Sequence, residues 1–401
     1  MSEDIFDPIE DVIEAFRNGE IIVMTDDEDR ENEGDLICAA EKATPEAINF
    51  MVTHARGLVC VPMEESMLSR LGLSHMVPAH SSDKYHTAFM DSVDIREGAT
   101  TGISASDRSK TVAALVSDSS QAGDFIKPGH MFPLKAMPGG SLERAGHTEG
   151  TVDLARICGM KPAGVICEIL RDDGEMMRME ELRKFAGKHG LKMTAVSEVV
   201  KYRYTHEPLV HLEREVSMPT DTGPFRLKLY SSTVDNKDHL ALVCGSPDSG
   251  KMPLVRVHSE CLTGDVFHSM RCDCGAQLHA AMQAIQEYGY GAIIYMRQEG
   301  RGIGLAKKIH AYELQEKGFD TVEANEHLGF NADLRDYGIG AQILIELGMK
   351  KVALLTNNPA KIQGLDKYGI EVVERVPLVL PTHEHNDHYI STKRDKMGHI
   401  I

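Results

Sequence analysis

Apolar residues recur at helical spacing near the start of the chain, with Ile9, Val12, Ile13 and Phe16 at i, i+3, i+4 and i+7. Asp7-Pro8 ahead of them predicts an N-cap followed by proline in the first helical turn, and Asn18-Gly19 predicts the stop. The unbroken run Ile21–Met24 then reads as a short buried strand. Thr44-Pro45 marks another helix start, and Leu58–Val61 another strand. Further on, Leu240–Val243, Ala292–Tyr295 and Val352–Leu355 read as strands, interleaved with helical patterns over Gly304–Glu316 and from Ala360 onward. Helices feeding short strands throughout predict a mixed α/β fold.

Periodicity lapses between Tyr202 and Glu215, and Pro219–Pro224 is turn-rich, which places a domain boundary at 205–215. At 401 residues the chain is too long for one ordinary core. Two α/β domains are expected, 1–205 and 206–401, each a mixed sheet packed with helices. No repeat and no low-complexity tract interrupts them. The segment from His383 onward is polar and is expected to be loosely held.

Charge narrows the partners. The formal net charge is −18, and residues 1–205 carry −13 of it, with 35 acidic against 22 basic residues. Such a balance argues against nucleic acid or an anionic membrane as partner, since both demand clustered Lys and Arg. The acidic start Met1–Asp4 lacks the pattern of a signal peptide, and no apolar run approaches the ~18–20 residues of a membrane span. A soluble, cytoplasmic protein is expected. Eight cysteines are too sparse for a disulfide scaffold, and three crowd into Cys261, Cys272 and Cys274.

Residues 26–35 hold seven carboxylates and one arginine, Arg30. A solvated acidic loop is the simplest reading. An EF-hand fails, because counting from Asp27 the sixth position is Asn32 instead of glycine and the twelfth is Cys38 instead of glutamate. What remains is a hard-cation site suited to Mg²⁺ or Mn²⁺, with Arg30 able to hold a phosphate. Gly129-His130, the run Arg144–Glu149 and Glu168, which follows apolar Val165–Cys167, add proton-moving and phosphate-binding groups in glycine-rich settings.

Taken together, Asp26–Asp35, Thr101–Arg108, Pro128–Leu134 and Arg144–Glu149 resemble the 3,4-dihydroxy-2-butanone 4-phosphate synthase family over about residues 5–200. The resemblance implies Glu31 and His147 as ligands of a divalent metal pair. It also implies that Arg30, Glu31, Asp35, Arg144, Ala145, Gly146, His147, Thr148 and Glu168 contact ribulose 5-phosphate, and that His130 and Glu168 are essential to the chemistry. His80–Asp91 is less regular than the family pattern.

In the second half, Cys261, Cys272 and Cys274 form C-x10-C-x-C, three thiolates that select zinc. His258 or His268 could complete a structural Cys3His site, whereas three ligands and a water would make a catalytic one. Spacing leaves both open. Gln298–Gly304 follows an apolar strand and opens a helix, which makes a plausible phosphate cradle. Thr356–Lys361 offers a second strand-to-helix turn rich in donors, and Asp333-Leu334-Arg335 brings an acid and a base close together.

The combination of Arg256–Glu260, the three cysteines, Arg297–Gly304, Thr321–Asn325 and Leu355–Pro359 resembles the GTP cyclohydrolase II family over about residues 218–380. That resemblance implies catalytic zinc on Cys261, Cys272 and Cys274. It implies GTP contacts from Arg256, Val257, His258, Ser259, Glu260, Gln277, Glu299, Gly300, Arg301, Tyr312, Thr321, Thr356 and Lys361, with Mg²⁺ arriving on the nucleotide. Asp333 takes the role of proton acceptor and Arg335 that of nucleophile. Arginine stays protonated and has no free lone pair, so charge clamping by Arg335 is the physically better role. The two resemblances together imply a bifunctional riboflavin-biosynthesis enzyme, lyase then hydrolase, expected as a homodimer or larger. Its rivals are a chain with one silent half and a zinc-structured nucleotide-binding regulator.

Overall fold

The computed structural model describes residues 5–28, 30–76, 87–235, 237–328 and 335–400. The chain separates into two compact units, Met1–Arg203 and Tyr204–Ile401. In the first, strands β1 (Ile22–Thr25), β2 (Gly34–Ala39), β3 (Cys60–Met63), β4 (Val93–Ile95), β5 (Phe125–Lys135), β6 (Gly164–Glu168) and β7 (Met193–Ala195) form one mixed sheet in the order β4-β5-β3-β6-β2-β1-β7. Strands β1, β2 and β3 are buried at every position, which is why β1 and β3 read as apolar runs without alternation, while β2 buries Asp35 among its apolar residues.

Helix Ile9–Asn18 buries Val12, Ile13 and Phe16 and closes on Gly19, whose φ of 87° is open to glycine. Its N-cap is Pro8 instead of Asp7. The Asp7 carboxylate is taken by the Met193 N–H at 2.9 Å and by Arg183 at 2.8 Å, so it ties the chain start to β7. Strand β3 begins two residues later than the apolar pattern suggested. Leu58 is exposed, and its N–H donates to a side chain at the sheet end.

The second unit's strands are β8 (Val210–Thr220), β9 (Gly223–Ser232), β10 (Asp238–Cys244), β11 (Leu254–Ser259), β12 (Gly291–Met296), β13 (Lys351–Leu355) and β14 (Glu371–Val376), ordered β14-β13-β11-β12-β10-β9-β8. The stretch that reads as an aperiodic linker is ordered: helix Val196–His206 runs into edge strand β8. That strand is exposed at most positions, so it carries no hydrophobic alternation. Pro219 and Pro224 face each other near the tip of the β8–β9 hairpin.

The polar C-terminal segment is also ordered, contrary to expectation. It forms helix Asp387–Asp395 and buries Asn386, Ile390, Thr392 and Lys393. Ion pairs make this possible, with Lys393 Nζ 2.6 Å from Asp273 Oδ1 and Lys396 Nζ 2.9 Å from Glu323 Oε1. Among the described residues no helix is long and apolar enough to cross a membrane.

Candidate active sites

The acidic run leads from the end of β1 into the start of β2, and among its described residues only part is solvated, with Asp27 and Glu28 exposed. Asp26 and Asp35 are buried and Glu31 is half-buried. Asp26 organises the turn by accepting the Glu31 and Glu33 N–H groups at 3.1 and 2.9 Å. Arg30 Nη1 bridges Asp26 and Glu31, each at 2.7 Å. The other side of the site is the N-terminus of helix His147–Ile157. Here His147 Nδ1 lies 3.8 Å from Glu31 Oε2. Ligand atoms of Asp26, Glu31 and His147 all fall within 4.8 Å of one another.

The electrostatics fit a cation. Asp35 Oδ1 and His147 Nε2 are buried with no hydrogen-bond partner among the described residues. Burial raises the Asp35 carboxyl, and the Glu168, Glu31 and Glu33 carboxylates push the same way against His147. Burial alone would lower the His147 imidazole, but Asp35, Glu31 and Asp26 overcome it and push it up to about 9. An isolated cluster of this kind holds a proton where a metal would otherwise supply the positive charge.

Strand register brings the remaining groups into line. Asp35 pairs with Glu168 across β2–β6, while Cys60 pairs with both Ile166 of β6 and Phe132 of β5. Two residues from those partners, Glu168 and His130 therefore reach the same end and the same face of the sheet. Glu168 Oε2 accepts the Leu58 N–H at 2.7 Å. His130 Nδ1 lies 2.7 Å from Asp94 Oδ2.

Arg144 donates to Glu149 at 2.6 Å and to Thr87 at 3.1 Å. A Cβ on Gly146 would meet Arg144 Nη1 at 2.5 Å and Arg30 Nη2 at 3.0 Å, so both guanidinium groups converge on this helix start. Thr148 is buried within its first turn, and Ala145 is exposed beside it. The arrangement offers backbone donors and two cations for a phosphate. Asp26 and Asp94 were not singled out in the sequence reading. The first was one acid among seven, and the second lies in the short strand β4 with no local motif. Of the irregular segment His80–Asp91, residues 80–86 lie outside the described residues.

In the second unit, β11, β12 and β13 run parallel, and their C-terminal ends open on one cavity. Cys261 follows β11, Gln298–Gly304 follows β12, and Thr356–Asn358 follows β13. The three cysteine sulfurs lie within 4.8 Å of one another, with Cys261 and Cys272 3.7 Å apart. A Cβ on Gly264 would stand 2.9 Å from Cys272 Sγ and 3.1 Å from Cys261 Sγ, so glycine leaves the space that the sulfurs occupy. No His, Asp or Glu among the described residues joins the trio at that range. His258 Nε2 instead points to Asp265 at 3.2 Å, and Asp265 also receives the Cys261 N–H at 3.0 Å and Tyr295 at 2.8 Å.

Lys308, unremarked in the sequence, donates to Cys261 Sγ at 3.1 Å, to Thr263 at 3.1 Å and to Glu299 at 2.7 Å. Hydrogen bonds from Cys272 and Cys274, then Lys308, lower the Cys261 thiol, while hydrogen bonding to Cys261, with burial, raises the other two. Tyr312 completes this cluster, its hydroxyl 3.2 Å from Thr263. Arg256 reaches Gln277 at 2.6 Å and the Leu355 carbonyl at 2.9 Å, and Lys361 donates to the Val257 carbonyl at 2.7 Å.

Ser259, Glu260, Glu299, Gly300, Arg301, Thr321, Arg335 and Thr356 line the cavity. Val257 does not. Its side chain is buried, and it contributes only its backbone. Gly300, Arg301 and Gly302 all have φ between 60° and 96°, curling the β12 turn so that a non-glycine residue, Arg301, is held in the left-handed region. Asp333 lies outside the described residues.

Residues 10–202 match the family of 3,4-dihydroxy-2-butanone 4-phosphate synthase, and residues 211–377 match GTP cyclohydrolase II. The riboflavin biosynthesis protein RibBA of Bacillus subtilis is 56% identical over 398 residues, covering 99% of this chain and all of that protein. The RibBA of Bacillus cereus is 55% identical over 397 residues with the same coverage. A solved two-domain 3,4-dihydroxy-2-butanone 4-phosphate synthase from A. baumannii aligns with a TM-score of 0.72 at 36% identity, covering 92% of this chain and 99% of that one. The paired clusters, in this order along one chain, accord with those relatives: the chain belongs to the RibBA family of bifunctional riboflavin-biosynthesis enzymes, a synthase domain followed by a GTP cyclohydrolase II domain.

Proposed function

We propose that the first half, residues 1–205, converts D-ribulose 5-phosphate to 3,4-dihydroxy-2-butanone 4-phosphate and formate. The second half, residues 206–401, hydrolyses GTP to 2,5-diamino-6-(5-phosphoribosylamino)pyrimidin-4(3H)-one, formate and pyrophosphate. The observation that carries this reading is one metal-capable triad in each unit, each flanked by guanidinium groups.

In the first unit Glu31 and His147, joined by Asp26, would hold Mg²⁺ or Mn²⁺. The bound cation supplies Lewis acidity for enolisation of the ketose. Arg30, Arg144 and the donors at Gly146–Thr148 bind the phosphate, while Asp35 orients the sugar hydroxyls. His130, held by Asp94, and Glu168 move protons on the carbon skeleton from one end of the sheet.

In the second unit Cys261, Cys272 and Cys274 would hold zinc. Once bound, the zinc supplies the acidity that makes water nucleophilic near neutral pH. The three-thiol set, with no fourth protein ligand among the described residues, supports the catalytic reading over the structural one. Lys308 offsets thiolate charge, and Tyr312 stands beside the cluster to orient the purine. Arg256, His258, Ser259, Glu260 and Gln277 contact the nucleotide. Glu299, Gly300, Arg301, Thr321, Thr356 and Lys361 do so from the facing loops, and the Val257 carbonyl fixes Lys361. Arg335 clamps charge as pyrophosphate, carrying Mg²⁺, departs, and Asp333 accepts a proton.

A cytoplasmic homodimer is the working form we assign. Formate release measured with each substrate separately, alongside a zinc assay, tests the whole reading. No turnover of ribulose 5-phosphate with Mg²⁺ would leave the first half a silent scaffold. GTP recovered intact from zinc-loaded protein would make the second half a regulator.

A further inference from the structure

The C-terminal segment grips three parts of the nucleotide cavity. Lys393 Nζ lies 2.6 Å from Asp273 Oδ1, in the turn between Cys272 and Cys274, and the other Asp273 oxygen receives Gln277 Nε2 at 2.7 Å. Lys396 pairs with Asp320 and with Glu323, the latter at 2.9 Å. Asp320 in turn caps helix Thr321–His327 through the Val322 and Glu323 N–H groups at 2.8 and 3.0 Å. The Ile400 N–H donates to the Asn357 carbonyl at 2.8 Å, in the turn after β13. Between these anchors Tyr389, Lys393, Met397 and His399 line the cavity itself.

The surroundings of His399 identify what belongs there. Burial lowers its imidazole, and Lys393, Arg335, Lys361 and Arg301 lower it further, to about 3. Four cations converging on one neutral ring form a field suited to a polyanion, and a triphosphate is the polyanion of this pocket. The neutral imidazole adds a hydrogen-bond donor for a phosphate oxygen without adding to the repulsion among the cations.

We propose that residues 387–400 are a wall of the GTP pocket, with His399 a binding residue for the triphosphate and Lys393 and Lys396 positioning residues that hold this wall on the cysteine turn and the Thr321 helix. The proposal rests on the GTP reading given above. Removing the His399 ring weakens nucleotide binding more than it slows the chemical step, because the charged groups that act on the ring are the phosphate-seeking cations Lys393, Arg335, Lys361 and Arg301 and none of the thiols.

The test compares the full chain with His399→Ala, His399→Gln and Lys396→Ala in steady-state GTP turnover, with ribulose 5-phosphate turnover in the same preparations as the folding control. His399→Ala raises the KM for GTP by roughly tenfold or more while kcat stays within about threefold. His399→Gln, which keeps a donor, recovers most of that loss. Lys396→Ala, altered outside the cavity, raises KM by roughly threefold or more through release of the wall. Should His399→Ala fail to fold, the other two variants decide. A wild-type chain that hydrolyses GTP beside folded variants whose KM stays within about twofold overturns the wall alone. A wild-type chain that leaves GTP intact overturns the assigned reaction instead.

Discussion

His130 Nδ1 lies 2.7 Å from Asp94 Oδ2, and the His130 backbone N–H donates to the other oxygen of that carboxylate at 2.9 Å. Gly102, at φ 90°, packs against the pair so closely that a Cβ there would stand 2.1 Å from Asp94 Oδ2 and 2.6 Å from His130 Nδ1. A carboxylate partner on Nδ1 favours the tautomer with hydrogen there, which leaves Nε2 to accept a proton. A histidine that is nearly half exposed is thereby held in one orientation.

Asp94→Asn should therefore impair the synthase without unfolding it, because the amide can still meet the backbone N–H but no longer imposes the tautomer. Formate release from ribulose 5-phosphate is expected to fall by roughly 10²-fold. GTP hydrolysis by the same preparation should be unchanged. Synthase turnover within about threefold of wild type would remove Asp94 from the mechanism.

The His147 cluster predicts how stability depends on pH when no metal is bound. In the fold this imidazole is raised from 6.5 to about 9. A raised basic group adds stability that is fully present below its unfolded value and is lost as pH rises through its folded value. The cation-free first unit should thus melt at progressively lower temperature from pH 6.5 to 9. Excess Mn²⁺ should flatten this slope, because it replaces the proton. Calorimetry with and without chelator checks both statements, and a first-unit transition that rises with pH would contradict them.

Lys308 is expected to matter to zinc more than to folding. Lys308→Met preserves the aliphatic stem but removes the cation 3.1 Å from Cys261 Sγ, and it leaves the Glu299 carboxylate with only its Leu262 and Gly300 N–H donors among these contacts. Zinc affinity should fall roughly 10- to 100-fold, as for other partners that support metal ligands. Competition with a chromophoric chelator reads this directly, and an unchanged affinity would refute the assignment.

Gln342 offers a purely structural test in the second unit. Its buried amide accepts the Leu209 N–H at 2.8 Å and donates to the Tyr204 and Glu207 carbonyls at 2.7 and 2.6 Å. Gln342→Leu leaves these backbone groups unmatched and should cost roughly 3 kcal/mol or more. Denaturant unfolding of the second unit measures it, and a loss below about 1 kcal/mol would show that water replaces the amide.

Several features were readable in the chain because they depend on local spacing. Ile9, Val12, Ile13 and Phe16 define a helix face by themselves, and Gly19 ends it wherever the helix packs. The C-x10-C-x-C spacing brought three sulfurs together because a tight turn leaves Cys272 and Cys274 little freedom. Edge strand β8 was not readable, since a strand exposed on most positions has no pattern to show. The polar C-terminal segment misled for a related reason. Its burial is made possible by Asp273, Asp320 and Glu323, acids more than 70 residues away.

By itself, then, the sequence determined the α/β class, both families and the identity of the groups able to carry chemistry. Those follow from periodicity and from residue types at short spacing. Tertiary structure alone decided that Asp26, out of the other acids of the run, joins Glu31 and His147, and that Asp94 orients His130. It alone set Lys308 against the thiols and made His399 part of a pocket wall. Each of these contacts depends on strand register or on loop ends brought together across a sheet, and no local spacing encodes that.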